Sequence, residues 1–124
     1  MPVRILTVDD SPVIRQMLRA TLEPAGYITI PATDGVDGLS RLDQEEAPDV
    51  IITDLNMPNL DGYGFVEAVR RRSDVTRKPI LVLTTEHSAQ KRNAIMALGA
   101  TGWITKPFVA SNLLKTVQRL APLG

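Results

Sequence analysis

The sequence contains no cysteine, and His87 is its single histidine. Without cysteine the chain can form no disulfide bond and can use no thiolate in catalysis or metal binding. His87 has no second histidine or cysteine that could complete a metal site with it, so we interpret it as a solvated loop residue. A reducing compartment is compatible with this composition, and we expect the protein to be cytoplasmic.

The sequence also lacks an excess of either charge. Its 14 basic and 14 acidic residues balance, which argues against a general affinity for nucleic acid or anionic lipid. The basic cluster of Arg70–Arg72 and Arg77–Lys78 fits the solvated C-terminal end of a helix, where cations complement the helix dipole. We therefore predict no nucleic-acid partner.

Long apolar runs are absent as well. None approaches the roughly 20 residues of a membrane span, and residues 1–4 lead directly into a strand pattern rather than a signal peptide. With 124 residues, 44% of them hydrophobic and 23% charged, the chain is large enough for one domain with its own core. We predict that residues 1–124 form a single domain without an output domain, without membrane attachment, and monomeric.

The most informative stretch is the uncharged segment Val50–Thr53, which lies between Asp49 and Asp54. Its β-branched residues predict a strand buried on both faces, as in the centre of a parallel sheet. Asp54 then stands at the carboxyl edge, where open α/β sheets place their ligand sites. The loop Met57–Gly62 turns the chain away. By itself, Asp54 could equally well cap the next turn.

The rest of the chain reads as strands alternating with helices. The predicted strands are Arg4–Val8, Tyr27–Ala32, Val50–Thr53, Ile80–Thr84 and Gly102–Lys106. Ser11 and Pro12 begin the first helix and Gly26 ends it, Asp61-Gly62 begins the third, and the fourth runs roughly from Ala89 to Leu98. The residues that repeat at helical spacing are Ile14, Met17, Leu18, Thr21, Leu22 and Ala25 in the first helix and Val36, Leu39 and Leu42 in the second. The third helix has the inner face Phe65, Val66 and Val69, the fourth a weaker apolar stripe of Ala94, Ile95 and Leu98, and the last the face Leu113, Leu114, Val117 and Leu120. This alternation predicts an α/β fold with a parallel sheet and helices on both faces.

In such a sheet all strand ends meet at one edge. That edge would collect three carboxylates, a hydroxyl and an ammonium, namely Asp9, Asp10, Asp54, Thr84 and Lys106. Helix and turn capping does not explain this set. Carboxylates held together repel one another and need a cation, and oxygen ligands suit Mg²⁺. The ammonium and the hydroxyl favour an anion at the same place, a phosphoryl group bridged to the metal.

These residues resemble the receiver domains of two-component response regulators over essentially the whole chain. The resemblance is carried by Asp9-Asp10, Asp54 with Leu55–Pro58, Thr84, and Lys106-Pro107-Phe108. The segment Gly99–Phe108 is similar to that of the single-domain, CheY-like chemotaxis regulators. The resemblance implies a flavodoxin-like, doubly wound sheet of five parallel strands in the order 2-1-3-4-5, with a (βα)5 chain.

The resemblance also implies roles for the acidic residues. Asp54 would accept a phosphoryl group from the phosphohistidine of a sensor histidine kinase of the CheA kind. Asp10 and Asp54 would hold Mg²⁺ by their carboxylates, Asp9 would act through a bound water, and Asn56 would offer its backbone carbonyl. Beyond its own phosphorylation and dephosphorylation, the protein would catalyse nothing.

Further roles follow for the switch. Lys106 would contact one phosphoryl oxygen, and Thr84 would donate its hydroxyl to another. The peptide bond between Lys106 and Pro107 would be cis. Movement of Thr84 would let Trp103 turn inward. Tyr or Phe is commoner at that position in the family, and the indole of Trp103 is larger than either side chain. Glu86 and Asn56 would tune the rate of dephosphorylation. The surface of helix four, strand five and helix five would then bind a target, which we predict to be the flagellar motor switch protein.

Other functions are compatible with part of the pattern. A receiver without an output domain could act as a phosphate sink or relay phosphate to another histidine protein. A haloacid dehalogenase-like hydrolase would need a second aspartate where Asn56 stands. A flavodoxin would need a phosphate loop where Asp9–Pro12 lies, and the aspartates would repel that phosphate. A DNA-binding regulator would need an output domain.

Overall fold

The structure is a computed structural model that describes residues 2–44, 47–72 and 78–123. Within these residues, strands and helices alternate along the chain. The strands are β1 Arg4–Val8, β2 Ile28–Ala32, β3 Val50–Thr53, β4 Ile80–Thr84 and β5 Gly102–Thr105. The helices are α1 Pro12–Leu22, α2 Gly35–Gln44, α3 Gly62–Arg70, α4 Ala89–Ala97 and α5 Ala110–Leu120. None of the helices in these ranges has the length and apolarity to cross a membrane.

The strands form one parallel sheet in the order β2-β1-β3-β4-β5. This confirms the predicted fold class and strand order. β3 lies at the centre and all four of its residues are buried. One apolar cluster, which includes Phe65 and Ile95, packs α2, α3 and α4 on one face of the sheet. A second cluster, which includes Leu18 and Leu113, packs α1 and α5 on the other face.

Local sequence signals explain where the helices begin. The Ser11 side chain accepts a hydrogen bond from the Ile14 amide at the start of α1, and Asp61 accepts one from the Gly64 amide at the start of α3. Each satisfies a backbone donor that has no partner within its helix. Both caps therefore fix the path of a loop that follows a strand end.

The end of the first helix differs from the prediction. α1 stops at Leu22, and a short 3-10 turn over Glu23–Ala25 leads to Gly26, whose φ of 106° is left-handed. Pro24 has no amide hydrogen to continue the α-helical ladder, so it ends the helix before Gly26. The strand after it begins at Ile28, one residue later than predicted, because the Tyr27 amide donates to the Leu22 carbonyl at 3.2 Å rather than to a neighbouring strand. The Tyr27 side chain is buried and donates its hydroxyl to the carbonyl of Ala121.

Some of the residues that repeat at helical spacing face solvent. Met17 is 41% exposed and Val36 is 53% exposed, and Ala94 is exposed as well. Apolar spacing marks a broad stripe on a helix, whereas each of these helices covers the sheet with a narrower strip. In α4 the buried residue is Ile95.

The basic cluster is not a uniformly solvated helix end. Arg70 donates two hydrogen bonds to the carbonyl of Gly99, at 3.0 and 2.7 Å, and one to the carbonyl of Lys78 at 2.7 Å. The solvated interpretation is therefore wrong for Arg70, which ties the end of α3 to the end of α4. It holds for Arg71, which is exposed and pairs with Glu67. Arg77 lies outside the described residues.

Candidate functional site

The carboxyl ends of four strands bring the predicted site residues to one edge of the sheet. Val8 is paired with Thr53, and the Asp54 amide donates to the Val8 carbonyl at 2.9 Å, so Asp9 and Asp54 leave neighbouring strands side by side. On the other side, the Lys106 amide donates to the Thr84 carbonyl at 2.8 Å. Strand β5 ends at Thr105, one residue before its predicted end. Lys106 is therefore the first residue beyond the strand.

Lys106 lies between two buried carboxylates. Its Nζ donates to Asp9 Oδ2 at 2.7 Å and to Asp54 Oδ2 at 3.2 Å. The side chains of Lys106, Asp9 and Asp54 are 10%, 2% and 10% exposed, so bulk water screens these contacts poorly. The remaining oxygens are held by backbone: Asp9 Oδ1 accepts from the Ser11 amide at 2.9 Å, and Asp54 Oδ1 accepts from the Leu55 amide at 2.7 Å.

The protonation of this group follows from burial and charge. Burial raises the pKa of Asp9 above its ordinary value, although hydrogen bonds from Lys106 and Ser11 oppose the shift. Burial by itself would lower the pKa of Lys106, but the hydrogen bond and charge of Asp9, together with Asp54, outweigh it and raise that pKa. Lys106 is therefore a cation at neutral pH.

Asp10 adds a third carboxylate to this group. One ligand oxygen from each of Asp9, Asp10 and Asp54 lies within 4.8 Å of the others, and Asp10 is exposed while the other two are buried. Lys106 offsets one of the three negative charges. An oxygen-only donor set with uncompensated charge fits Mg²⁺, and the exposed Asp10 leaves a side from which the ion can enter.

Comparison with known proteins identifies the class of this arrangement. The response regulator receiver domain family matches residues 5–118. The chain belongs to this family. As a receiver it is similar to the chemotaxis protein CheY4 of Vibrio cholerae, with 48% sequence identity and a TM-score of 0.91 over 97% of this chain and 99% of that chain. It is thus the CheY-like receiver domain of a two-component response regulator, as the sequence predicted.

Other similar sequences belong to longer proteins of different kinds. The receiver domain of the sensor histidine kinase PA1611 from Pseudomonas aeruginosa, solved with a magnesium ion coordinated in its active-site cleft, is 28% identical, with a TM-score of 0.87 over 97% of this chain and 98% of that chain. Response regulator MprA from Mycobacterium sp. strain KMS is 40% identical over 120 residues, which are 97% of this chain and 51% of the relative. The sensor histidine kinase CheAY of Helicobacter pylori is 34% identical over 116 residues, 93% of this chain and 14% of the relative. The chain therefore spans about half, or less, of these curated relatives.

Thr84 and Glu86 are joined by a hydrogen bond at the carboxyl end of β4. Thr84 is fully buried, and its Oγ accepts from the Glu86 amide at 3.3 Å. The Glu86 carboxylate accepts from the Ser88 amide at 3.2 Å and from Lys91 Nζ at 3.0 Å, and the hydrogen bond from Lys91 lowers its pKa. The side chain of Glu86 is therefore held at the start of α4.

The remaining predicted residues lie around this centre. Asn56 is exposed in the loop after Asp54. Trp103 is partly buried on β5, opposite Val82, and packs against the apolar cluster under α4. The Lys106-Pro107 bond is cis, as the resemblance implied. His87 is exposed, which agrees with a solvated loop residue.

The sequence analysis missed a residue that supports the site. Arg15 donates a hydrogen bond to the backbone carbonyl of Asp9 at 2.6 Å. A signal for it existed, because side chains on a helix point back toward its N-terminus, and Arg15 lies one turn after Ser11. Arg15 thus fixes the main chain that carries Asp9 and Asp10.

Proposed function

We propose that this receiver is a phosphorylation-dependent switch in which Asp54 accepts the phosphoryl group from a histidine kinase. The observation that carries the proposal is the contact of Lys106 Nζ with Asp54 Oδ2 at 3.2 Å, next to two further carboxylates. A nucleophilic carboxylate beside a fixed cation and a charge-dense cluster is what phosphoryl transfer needs, since its catalysis consists mainly of positioning and charge neutralisation.

The acidic residues divide into an acceptor and a metal site. Asp10 and Asp54 would hold Mg²⁺ by their carboxylates, Asp9 through a water, and Asn56 by its backbone carbonyl. When bound, Mg²⁺ would neutralise charge on the phosphoryl oxygens. Asp54 attacks the phosphorus of the donor phosphohistidine, a P–O bond forms as the P–N bond breaks, and Asp54 becomes an acyl phosphate.

Lys106 and Thr84 then contact the phosphoryl group on Asp54. The ammonium, already beside Asp54, contacts a phosphoryl oxygen, and the Thr84 hydroxyl donates to another. Glu86 and Asn56 flank the approach of water and set how fast the phosphoryl group is lost. Lys91 holds Glu86 at 3.0 Å, which restrains the side chain in this role.

For the biological setting we propose chemotaxis. The similarity to the Vibrio cholerae chemotaxis protein extends over 99% of that chain. It supports a role in chemotaxis, for which we propose a CheA-like kinase as donor, a flagellar motor switch protein as target, and a cytoplasmic, monomeric receiver. Catalysis is limited to the protein's own phosphorylation and dephosphorylation.

A phosphate sink or relay is the second candidate. It is favoured by the match to a part of the sensor histidine kinase CheAY of Helicobacter pylori. The two candidates differ in what the phosphorylated protein does. A motor effector gains affinity for a motor switch peptide, whereas a sink or relay returns its phosphoryl group to a histidine protein and gains no such affinity.

The acceptor is tested by labelling with acetyl phosphate. Wild type should gain one phosphoryl group with Mg²⁺ and none with EDTA, because charge neutralisation is required. Asp54→Asn should gain none, because an amide is not a nucleophile here. Asp43→Asn is the matched control: this carboxylate on α2 is 67% exposed and pairs with Arg72, so the variant should be labelled like wild type. Labelling of Asp54→Asn at the wild-type rate would defeat the assignment.

A further inference from the structure

The loop that follows Asp54, residues 55–61, is held at both of its ends. We call it the acceptor loop. At its start the Leu55 amide donates to Asp54 Oδ1 at 2.7 Å, and at its end the Gly62 amide donates to the Leu55 carbonyl at 2.8 Å. The loop carries Asn56, so its path decides where the Asn56 carbonyl lies relative to Asp54.

A side-chain bond fixes the middle of the acceptor loop. Asn59 Nδ2 donates to Asp34 Oδ2 at 2.7 Å. Beside it the Gly35 amide donates to the Leu60 carbonyl at 3.3 Å, and a side chain at Gly35 would collide with Leu60. Asn59 has a φ of 70°, a left-handed conformation that asparagine tolerates better than most residues.

Asp34 is a rigid anchor for this bond. It is 9% exposed, and its second oxygen accepts from the Asp37 amide at 2.8 Å at the start of α2. Two residues earlier, the Ala32 carbonyl accepts from the Asp9 amide at 3.1 Å. The segment that holds the acceptor loop is thus bonded to the segment that carries the first carboxylates of the site.

We infer that Asp34 and Asn59 are positioning residues for the metal site, because their bond fixes the loop that presents the Asn56 carbonyl. The inference rests on the proposed function. If Asp34 served merely to cap α2, the bond from Asp37 would suffice, and the contact with Asn59 would leave metal binding unaffected. Groups that orient a ligand without touching the metal commonly affect metal affinity, and this bond would act on Asn56 through the two residues of the acceptor loop between Asn56 and Asn59.

The decisive variant is Asn59→Gly, which removes the amide while glycine retains the positive φ. Mg²⁺ affinity is measured by isothermal titration calorimetry, and labelling by acetyl phosphate is measured as a function of Mg²⁺ concentration. We expect the dissociation constant for Mg²⁺ to rise about tenfold, the lower end of the range for such partners. The labelling rate at saturating Mg²⁺ should stay near that of wild type, because the reacting groups are unchanged.

Two further variants separate positioning from a general loss of structure. Thr33→Ala removes the hydroxyl bond to Asp37 beside the same helix end but leaves the bond between Asp34 and Asn59, so it should bind Mg²⁺ like wild type. The exchanged pair Asp34→Asn with Asn59→Asp restores an amide–carboxylate bond in the reverse direction. It should recover most of the affinity that Asn59→Asp alone loses through facing carboxylates.

The outcomes separate the two proposals. If wild type binds no Mg²⁺ and takes up no phosphoryl group, the proposed function fails and the inference fails with it. If wild type does both and Asn59→Gly binds Mg²⁺ equally tightly, the inference alone is wrong. It is also wrong if the exchanged pair unfolds in urea like wild type yet recovers no affinity.

Discussion

At the scale of single residues, the site is organised by the ammonium of Lys106. It contacts Asp9 at 2.7 Å and Asp54 at 3.2 Å in a buried position, and both carboxylates raise its pKa against the effect of burial. If Asp54 is the acceptor, as proposed, the same ammonium contacts it before the reaction and would contact the phosphoryl group afterwards. Lys106 would then connect the chemistry at Asp54 to the backbone of β5.

A variant without this charge should separate phosphorylation from signalling. We expect Lys106→Ala to be labelled by acetyl phosphate, because Asp54 and the metal ligands remain, but to lose most of its gain in partner affinity. Such a gain is typically about 5- to 150-fold. Lys106→Arg should not restore it, since a planar guanidinium cannot occupy the same point as an ammonium. The measurement is partner binding with and without a phosphoryl mimic, and full activation of Lys106→Ala would contradict the coupling role.

Whether a site residue could be predicted from the sequence depends on whether a strand or a loop places it at the site. Asp54, Thr84 and Lys106 each stand at the end of a strand, and parallel strands bring such positions together whatever the loops do. The bond between Asp34 and Asn59 requires a particular loop path with a positive φ, which no periodicity encodes. The hydrogen bond from Arg15 to the Asp9 carbonyl is an intermediate case, because helix geometry points Arg15 toward the strand end but does not specify its acceptor.

At the scale of elements, strand signals were more reliable than helix ends. β3 has the predicted bounds, because aspartates flank an uncharged run. The end of α1 was misplaced because Pro24 acts before Gly26. Val36 repeats at helical spacing yet is exposed, because spacing alone does not tell how wide a strip of the helix packs against the sheet.

Two glycines at the start of α3, Gly62 and Gly64, should differ in how substitution by alanine changes the stability of the protein. A Cβ at Gly62 would meet the backbone of Asp54 and Leu55, whereas a Cβ at Gly64 would meet the tip of the Leu60 side chain, which can move. We expect Gly62→Ala to lower the free energy of unfolding by about 1–3 kcal/mol through overpacking. Gly64→Ala should be unchanged or up to about 1 kcal/mol more stable, because alanine favours a helix.

Urea unfolding in the absence of Mg²⁺ measures both variants. Equal stability of Gly62→Ala and Gly64→Ala would show that the first turn of α3 is not tightly packed against the backbone of Asp54 and Leu55. Labelling by acetyl phosphate should also slow in Gly62→Ala, since the collision falls on the backbone of Asp54 itself.

At the scale of the whole molecule, the sheet links the site to a distant surface. Thr84 is paired with Thr105, and two residues earlier Val82 is paired with Trp103. The proposed shift of Thr84 toward a phosphoryl group would therefore act on strands β4 and β5 together. Trp103 packs against the apolar cluster that includes Ile95 of α4. The packing of its indole should therefore change if phosphorylation changes the conformation of β4 and β5.

Trp103 is the single tryptophan, which makes its fluorescence a direct report of the switch. Beryllium fluoride with Mg²⁺ should change the emission of wild type. Thr84→Ala should still be labelled but should show little change in emission and little gain in partner affinity. Thr21→Ala, which removes a hydroxyl on the surface of α1, is the control and should respond like wild type. Unchanged Trp103 emission together with increased partner affinity would place the switch in other residues.

The most direct test of the account is to find which residue carries the phosphoryl group. Protein labelled with acetyl phosphate and Mg²⁺ is reduced with borohydride, which converts an aspartyl phosphate to homoserine, and the peptides are sequenced by mass spectrometry. The account predicts homoserine at position 54 and unmodified aspartate at positions 9 and 10. Homoserine at either of those positions, or no modified residue in protein that binds Mg²⁺, would contradict it.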